Sequence, residues 1–139
     1  MTPTHVLHLV SLECRLAQEL DGDEIYLRLD GKKIWGVGRN EHMSHDLTKA
    51  HCFSVMNFAE GTRMGANGWE PMQNFQAGAL AFPFDGTTDL EILEADTFSS
   101  DDHIGRQRVA AADAGHGTIT VQFENDGAKY ALSYRVEPA

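Results

Sequence analysis

Basic residues are scarce in this chain: 11 Lys and Arg stand against 21 Asp and Glu, for a formal net charge of −10. A general nucleic-acid binder needs a basic footprint on the phosphates, and this balance excludes one. Docking to an anionic membrane is opposed by the same sign, unless something neutralises the acidic face. Cysteine is nearly absent, with Cys14 and Cys52 alone. Two thiols make no disulfide framework; they can pair, or stay as thiols buried or exposed, and the redox compartment remains open. No apolar run approaches the length of a membrane span. The N-terminal residues show no basic segment ahead of an apolar one, so "HVLHLVSLEC" reads as a first strand rather than a secretory leader. The expected location is the cytoplasm, or export without a signal peptide.

What the chain does have is alternation. At 139 residues and 42% hydrophobic, it is expected to fold as a single domain over 1–139 with an ordinary core. Short apolar or alternating runs occupy 5–14, 24–29, 32–36, 51–58, 78–84, 89–96, 105–113, 118–124 and 129–137. Asp30-Gly31 and Asp126-Gly127 sit between paired runs, where type I′ hairpin turns need residues that tolerate positive φ. The pattern predicts an all-β fold, an antiparallel β-sandwich of about eight strands. Residues 37–50 and 60–76 lack clear period and read as long loops, and 14–20 can hold a brief helical turn.

The most informative stretch is "LEILEADTFSSDDHIG", in which an alternating strand runs into Glu94, Asp96, Asp101 and Asp102 with no Lys or Arg among them. Calcium is a hard cation that takes six to eight oxygen ligands, several of them carboxylates. Glu94 and Asp96 are two residues apart, so an extended strand end projects both on one face. A loop that turns back can bring Asp102 towards them. An EF-hand is excluded, because Phe98 and Ser99 stand where that loop needs an oxygen ligand and its glycine. Without a cation, clustered carboxylates repel one another and loosen their loops; a bound cation reverses this and acts as an ordering switch.

The spacing acidic-x-acidic, five residues, acidic, two residues and glycine resembles the third calcium loop of C2 domains. Glu94, Asp96, Asp102 and Gly105 fit it, with Ile104 before the glycine. "DGDEIYLRL" is similar to the end of that family's first calcium loop, with Asp23 or Glu24 at the acidic place and Tyr26 at the aromatic one. The resemblance implies a C2-like Greek-key sandwich acting as a calcium-responsive module for a lipid surface or a partner protein. It implies calcium as cofactor, held by Glu94, Asp96 and Asp102 with help from Asp21, Asp23, Glu24 and Asp101. Some features depart from the family. The proline after the first-loop aspartate is replaced by Glu24-Ile25, and Gln18 stands where a second first-loop aspartate is expected, with Glu19 and Asp21 nearby.

Other constellations carry less. His42, His45, His51 and Cys52 could form a soft-metal cluster, but adjacent His51 and Cys52 in a strand would point to opposite faces. No nucleophile elbow, phosphate loop or zinc-protease motif is present, and enzymatic activity is not expected. Trp35 reads as core and Trp69, in a Gly/Asn loop, as exposed. The alternatives to a calcium module are a metal-independent interaction or structural sandwich, such as an accessory or inhibitor protein, and a carbohydrate-binding sandwich using Trp69.

Overall fold

In the computed structural model, which describes residues 2–96 and 99–139, alternation is converted into two stacked sheets. The larger sheet has the order β11-β12-β1-β5-β6-β7, formed by Thr118–Asn125, Ala128–Pro138, His5–Leu16, Cys52–Asn57, Thr62–Gly65 and Gly68–Pro71. Two short strands join it, β4 (His42–Met43) parallel to β5, and β8 (Ala81–Phe84) antiparallel to β1. The smaller sheet is β10-β9-β2-β3, formed by Asp102–Ala110, Thr87–Glu94, Ile25–Leu29 and Lys32–Gly36. The antiparallel sandwich expected from the sequence is the architecture observed.

Strand β1 shows how the sequence keeps its apolar face inward. Leu7 and Leu9 are buried, and so are Leu12 and Cys14, although a strict period of two would send the second pair to the opposite face. A register shift between Leu9 and Ser11 against β12 absorbs the extra residue and restores the phase. Both Asp-Gly turns adopt the conformation that their residues permit: φ is +50° and +81° at Asp30 and Gly31, and +51° and +84° at Asp126 and Gly127. Between the sheets, Leu7, Leu12, Ile25, Leu27, Ile92 and Leu132 are fully buried. Cys14 and Cys52 are both free and buried, and burial raises the pKa of each thiol, Cys14 to about 12.

Three expectations need correction. The 60–76 segment is not a long loop but carries the β6–β7 hairpin, and β4 lies within 37–50. The hairpin escaped notice because its inward positions are Arg63 and Gly65 while Met64 faces outward, which inverts the usual alternation. Arg63 is 5% exposed; its guanidinium pairs with Glu41 at 2.8 Å and Glu70 at 2.9 Å and lies 3.8 Å from the centre of the Phe53 ring. The 14–20 segment holds no helix, since β1 continues to Leu16. The run at 105–113 starts earlier, at Asp102, and stops at Ala110, where Asp113 accepts the Ala110 N–H at the head of a single 3-10 turn. Trp35 packs edge-on against Phe58, and Trp69 is 53% exposed, both as expected. Among the described residues, no helix is long and apolar enough to cross a membrane.

Gly105 owes its identity to packing between the sheets. A Cβ there would lie 2.1 Å from the ring of Phe123 on β11, so β10 approaches the other sheet only because this side chain is missing. Gly105→Ala is therefore expected to destabilise the fold by about 1–3 kcal/mol. Phe123→Leu in the same background should recover part of the loss, as thermal denaturation would show. Equal stability of Gly105→Ala and the parent would refute this packing.

Candidate cation-binding cleft

The loop between β1 and β2 closes onto β4 because Gly22 lets it. Gly22 has φ of +91°, and a Cβ there would stand 2.7 Å from His42 Cβ and 3.0 Å from the Met43 carbonyl. Asp23 and Met43 then exchange backbone hydrogen bonds of 2.8 and 2.9 Å. The end of β9 arrives beside this junction. Together these segments line a cleft of about 350 Å³ with Glu19, Asp21, Glu24, Glu94, Asp96 and His42.

Beneath the cleft, Asp23 is completely buried. Its Oδ1 accepts the Glu19 N–H at 3.1 Å, and its Oδ2 accepts the Gln18 N–H at 2.9 Å and the Tyr130 hydroxyl at 2.6 Å. Burial foremost raises the pKa of Tyr130, so its hydroxyl remains a donor. Glu94 is 1% exposed and its Oε2 is buried with no donor in reach. Burial first, then the hydrogen bond to Asp23 and its charge, with Glu19 adding to both, pushes the Glu94 carboxyl up to about 9. In the cation-free fold, Glu94 is thus a neutral acid at pH 7, donating its proton within this carboxyl cluster.

The expected site residues separate into distinct roles. Glu24, Glu94, Asp96 and Asp21 line the cleft. Asp21 is highly exposed and 3.6 Å from the Lys49 ammonium, and Glu24 is 3.7 Å from His42 Nε2. Asp96 accepts the Ser99 hydroxyl at 2.8 Å. Asp23 lies under the cleft as a brace for the loop backbone, accepting from Gln18, Glu19 and Tyr130 and meeting the Glu94 carboxyl. Asp101 is a brace as well: it accepts the Tyr26 hydroxyl at 2.5 Å and the Asp96 N–H at 3.0 Å. Those bonds, the tyrosine's foremost, hold its carboxyl below the usual range. Asp102 stands opposite Glu94 in the β9–β10 ladder and does not line the cleft. Thr97 and Phe98, which fall inside the matched spacing, lie outside the described residues.

Glu19 and His42 belong to the cleft although the acidic spacing did not select them, and Tyr130 reaches it from a strand more than a hundred residues away. Gly22 was the available signal for the first two, since a glycine beside clustered acids marks a tight turn. The soft-metal grouping does not assemble: His45 Nδ1 accepts the Ala17 N–H, and His51 lies in a turn with φ of +62°. Among the described residues, no group of three or more His, Cys, Asp or Glu side chains is placed to hold a metal ion as they stand. The donor set itself suits a hard cation: it is made largely of carboxylate oxygens, and Glu94 Oε2 is a buried acceptor lacking a donor. Holding an ion there requires Glu94 to release its proton and the side chains to converge.

No family model matches this chain, and no curated protein matches it. Among solved structures, it is similar to one described as the structure of a C2 domain, with 14% identity and a TM-score of 0.46 over 98% of this chain and 99% of the other. It is similar also to a C2 domain of plant extended synaptotagmin 1, with 11% identity and a TM-score of 0.47 over 100% and 98% of the two chains. A third is human GIVD cytosolic phospholipase A2, with 12% identity and a TM-score of 0.41 over 98% of this chain but 17% of that enzyme. All three matches lie below 15% identity and below a TM-score of 0.5.

Glu94 makes stability depend on pH in a definite direction. Its folded-state pKa lies above its ordinary value, so the fold holds the proton that the unfolded chain gives up. The stability contributed by that proton is complete below the unfolded pKa and is lost as pH rises towards 9. Glu94→Gln keeps a neutral side chain of the same shape. Its stability relative to the parent should rise between about pH 5 and 8 by up to about 1.4 kcal/mol per pH unit, as denaturant titrations can follow. A gap independent of pH would contradict the neutral acid.

Proposed function

We propose that this protein is a C2-like binding module whose acidic cleft takes up calcium, ordering the loops around it into a surface for a lipid layer or a partner protein. The observation that carries the reading is Glu94 Oε2, a buried oxygen without a donor in a cleft lined by four further carboxylates. A proton or a cation relieves the cost of burying a carboxyl of this kind. Calcium would supply positive charge that offsets the mutual repulsion of the carboxylates.

In this reading Glu94 and Asp96, from the end of β9, face Glu19, Asp21 and Glu24, from the loop before β2. Asp23 fixes the 18–19 backbone through the two N–H groups it accepts, and Asp101 ties the far side of the cleft to Tyr26. Neutralising the cleft would also reduce the electrostatic objection to anionic surfaces, because Glu19, Asp21, Glu24 and Asp96 gather there. The competing reading, a metal-independent interaction sandwich, is favoured by the proton on Glu94, which already completes the cluster without an ion.

Calcium should raise the melting temperature, by the equivalent of about 2.7 kcal/mol when free calcium is a hundredfold above its dissociation constant. Magnesium should do less, since it keeps its waters and prefers a smaller shell. Asp96→Asn should weaken calcium binding strongly while leaving the cation-free protein as stable as before or slightly more so. Asp89→Asn is the control: Asp89 pairs with Arg106 and Arg108 and lies seven residues back along the same strand, at roughly 3.3 Å per residue. Calcium affinity should be nearly unchanged by it, because exposed charges at that separation are screened. Equal losses in both variants would mean generic acidity; no calcium response in the parent at millimolar concentration would leave the metal-independent sandwich.

A further inference from the structure

The cations of this protein are distributed unevenly. Arg15, Arg28, Lys49, Arg63, Arg106, Arg108, Lys129 and Arg135 each pair with an Asp or Glu. Among the described residues, Lys32, Lys33 and Arg39 carry no ion pair, although acidic groups outnumber basic ones almost two to one. All three are exposed, and they follow one another along β3 and the turn after it. Lys33 instead lies 5.5 Å over the Tyr26 ring.

Strand β3 is also the edge of its sheet, paired to β2 on one side and, among the described residues, to no strand on the other. Along it run three cavities of about 170, 290 and 250 Å³. The first two share Trp35, Met72 and Asn74 and form one trough; the third meets it at Gly36, Val37 and Gly38, on the face of the strand where Lys33 lies over Tyr26. The trough is walled by Ile34, Trp35 and Met72 together with Gln73 and Asn74, and the adjoining cavity is bordered by Lys33 and Arg39. Glu24 stands there, beside His42, and Glu41 is already engaged by Arg63 and the Gly38 N–H.

An unpaired strand edge offers N–H and C=O groups that another polypeptide backbone can complement, and pockets beside it can receive alternate side chains. Charge complementarity fixes the chemistry of the occupant. We propose that the free edge of β3 is a docking site for an extended acidic segment of a partner protein. The segment would add a strand beside β3, seat alternate apolar side chains in the trough and set carboxylates against Lys33 and Arg39. This site adjoins the calcium cleft at Glu24 and Ala95 but does not require an ion there.

The test uses the whole chain and a labelled, blocked octapeptide alternating Glu and Val, which spans roughly 27 Å when extended. Anisotropy should report saturable binding in the presence of chelator, and hydrogen exchange should show new protection of amides in Lys32–Gly36. Reversing charge at Lys32→Glu, Lys33→Glu and Arg39→Glu should weaken binding by about tenfold or more, with an unchanged circular dichroism spectrum. A Gln/Val peptide on the unmodified protein gives the same comparison without relying on a variant, and should bind more weakly by a similar factor. Equal binding of the Glu/Val, Gln/Val and Lys/Val peptides would overturn the proposal. So would binding without protection of β3, or capture of phosphatidylserine vesicles through the three cations with no peptide bound.

Discussion

The cleft depends on one buried contact that crosses the sandwich. Tyr130 belongs to β12 of the larger sheet, and its hydroxyl donates at 2.6 Å to Asp23, which leads into β2 of the smaller one. A carboxylate that is completely buried would be strongly destabilising without partners. Asp23 has three, and each of them fixes something: Tyr130 fixes the sheets to one another, while the Gln18 and Glu19 N–H groups fix the loop above. With Asp23 accepting from all three, Glu94 arrives in surroundings that supply its Oε2 with no donor. Glu94 therefore has to bring a proton itself or meet a cation. The chemistry of the cleft is a consequence of where its brace stands.

This arrangement separates residues that composition makes look alike. Asp23 and Asp101 are braces, Glu94 is a neutral acid, and Glu24, Asp96 and Asp21 are the outward-facing carboxylates of the cleft. Spacing along the chain cannot make that distinction. What it did convey was convergence: Glu94 and Asp96, two apart at the end of a strand, do line one cleft together with the acidic loop upstream. The Asp-Gly turns and the long alternating strands were equally legible, because hairpin geometry and a half-buried face leave local marks. The β6–β7 hairpin left none, since its buried positions are an arginine clamped by two glutamates and a glycine beneath Phe53. Tyr130 was hidden for a different reason, as no local pattern announces a hydrogen bond to a partner 107 residues away.

The surface divides its charge between two neighbouring places. Carboxylates gather where loops meet at the end of the sandwich, and the cations without acidic partners line the β3 edge. Glu24 and Ala95 border both the cleft and the cavity beside Lys33 and Arg39. Filling one would therefore alter the field at the other. A cation in the cleft would offset the carboxylates that repel an acidic segment, and so strengthen the hold of Lys33 and Arg39 on it.

The central claim is that Glu94 is a protonated acid in the cation-free fold and the group that a cation would displace from that state. Carbon-13 NMR of the Glu94 side-chain carboxyl at pH 7 reads this directly. A shift in the range of a neutral acid, titrating near pH 9 and moving to the carboxylate position when calcium is added, is the result predicted. A carboxylate shift already at pH 7, titrating in the ordinary acid range and insensitive to calcium, would contradict the account.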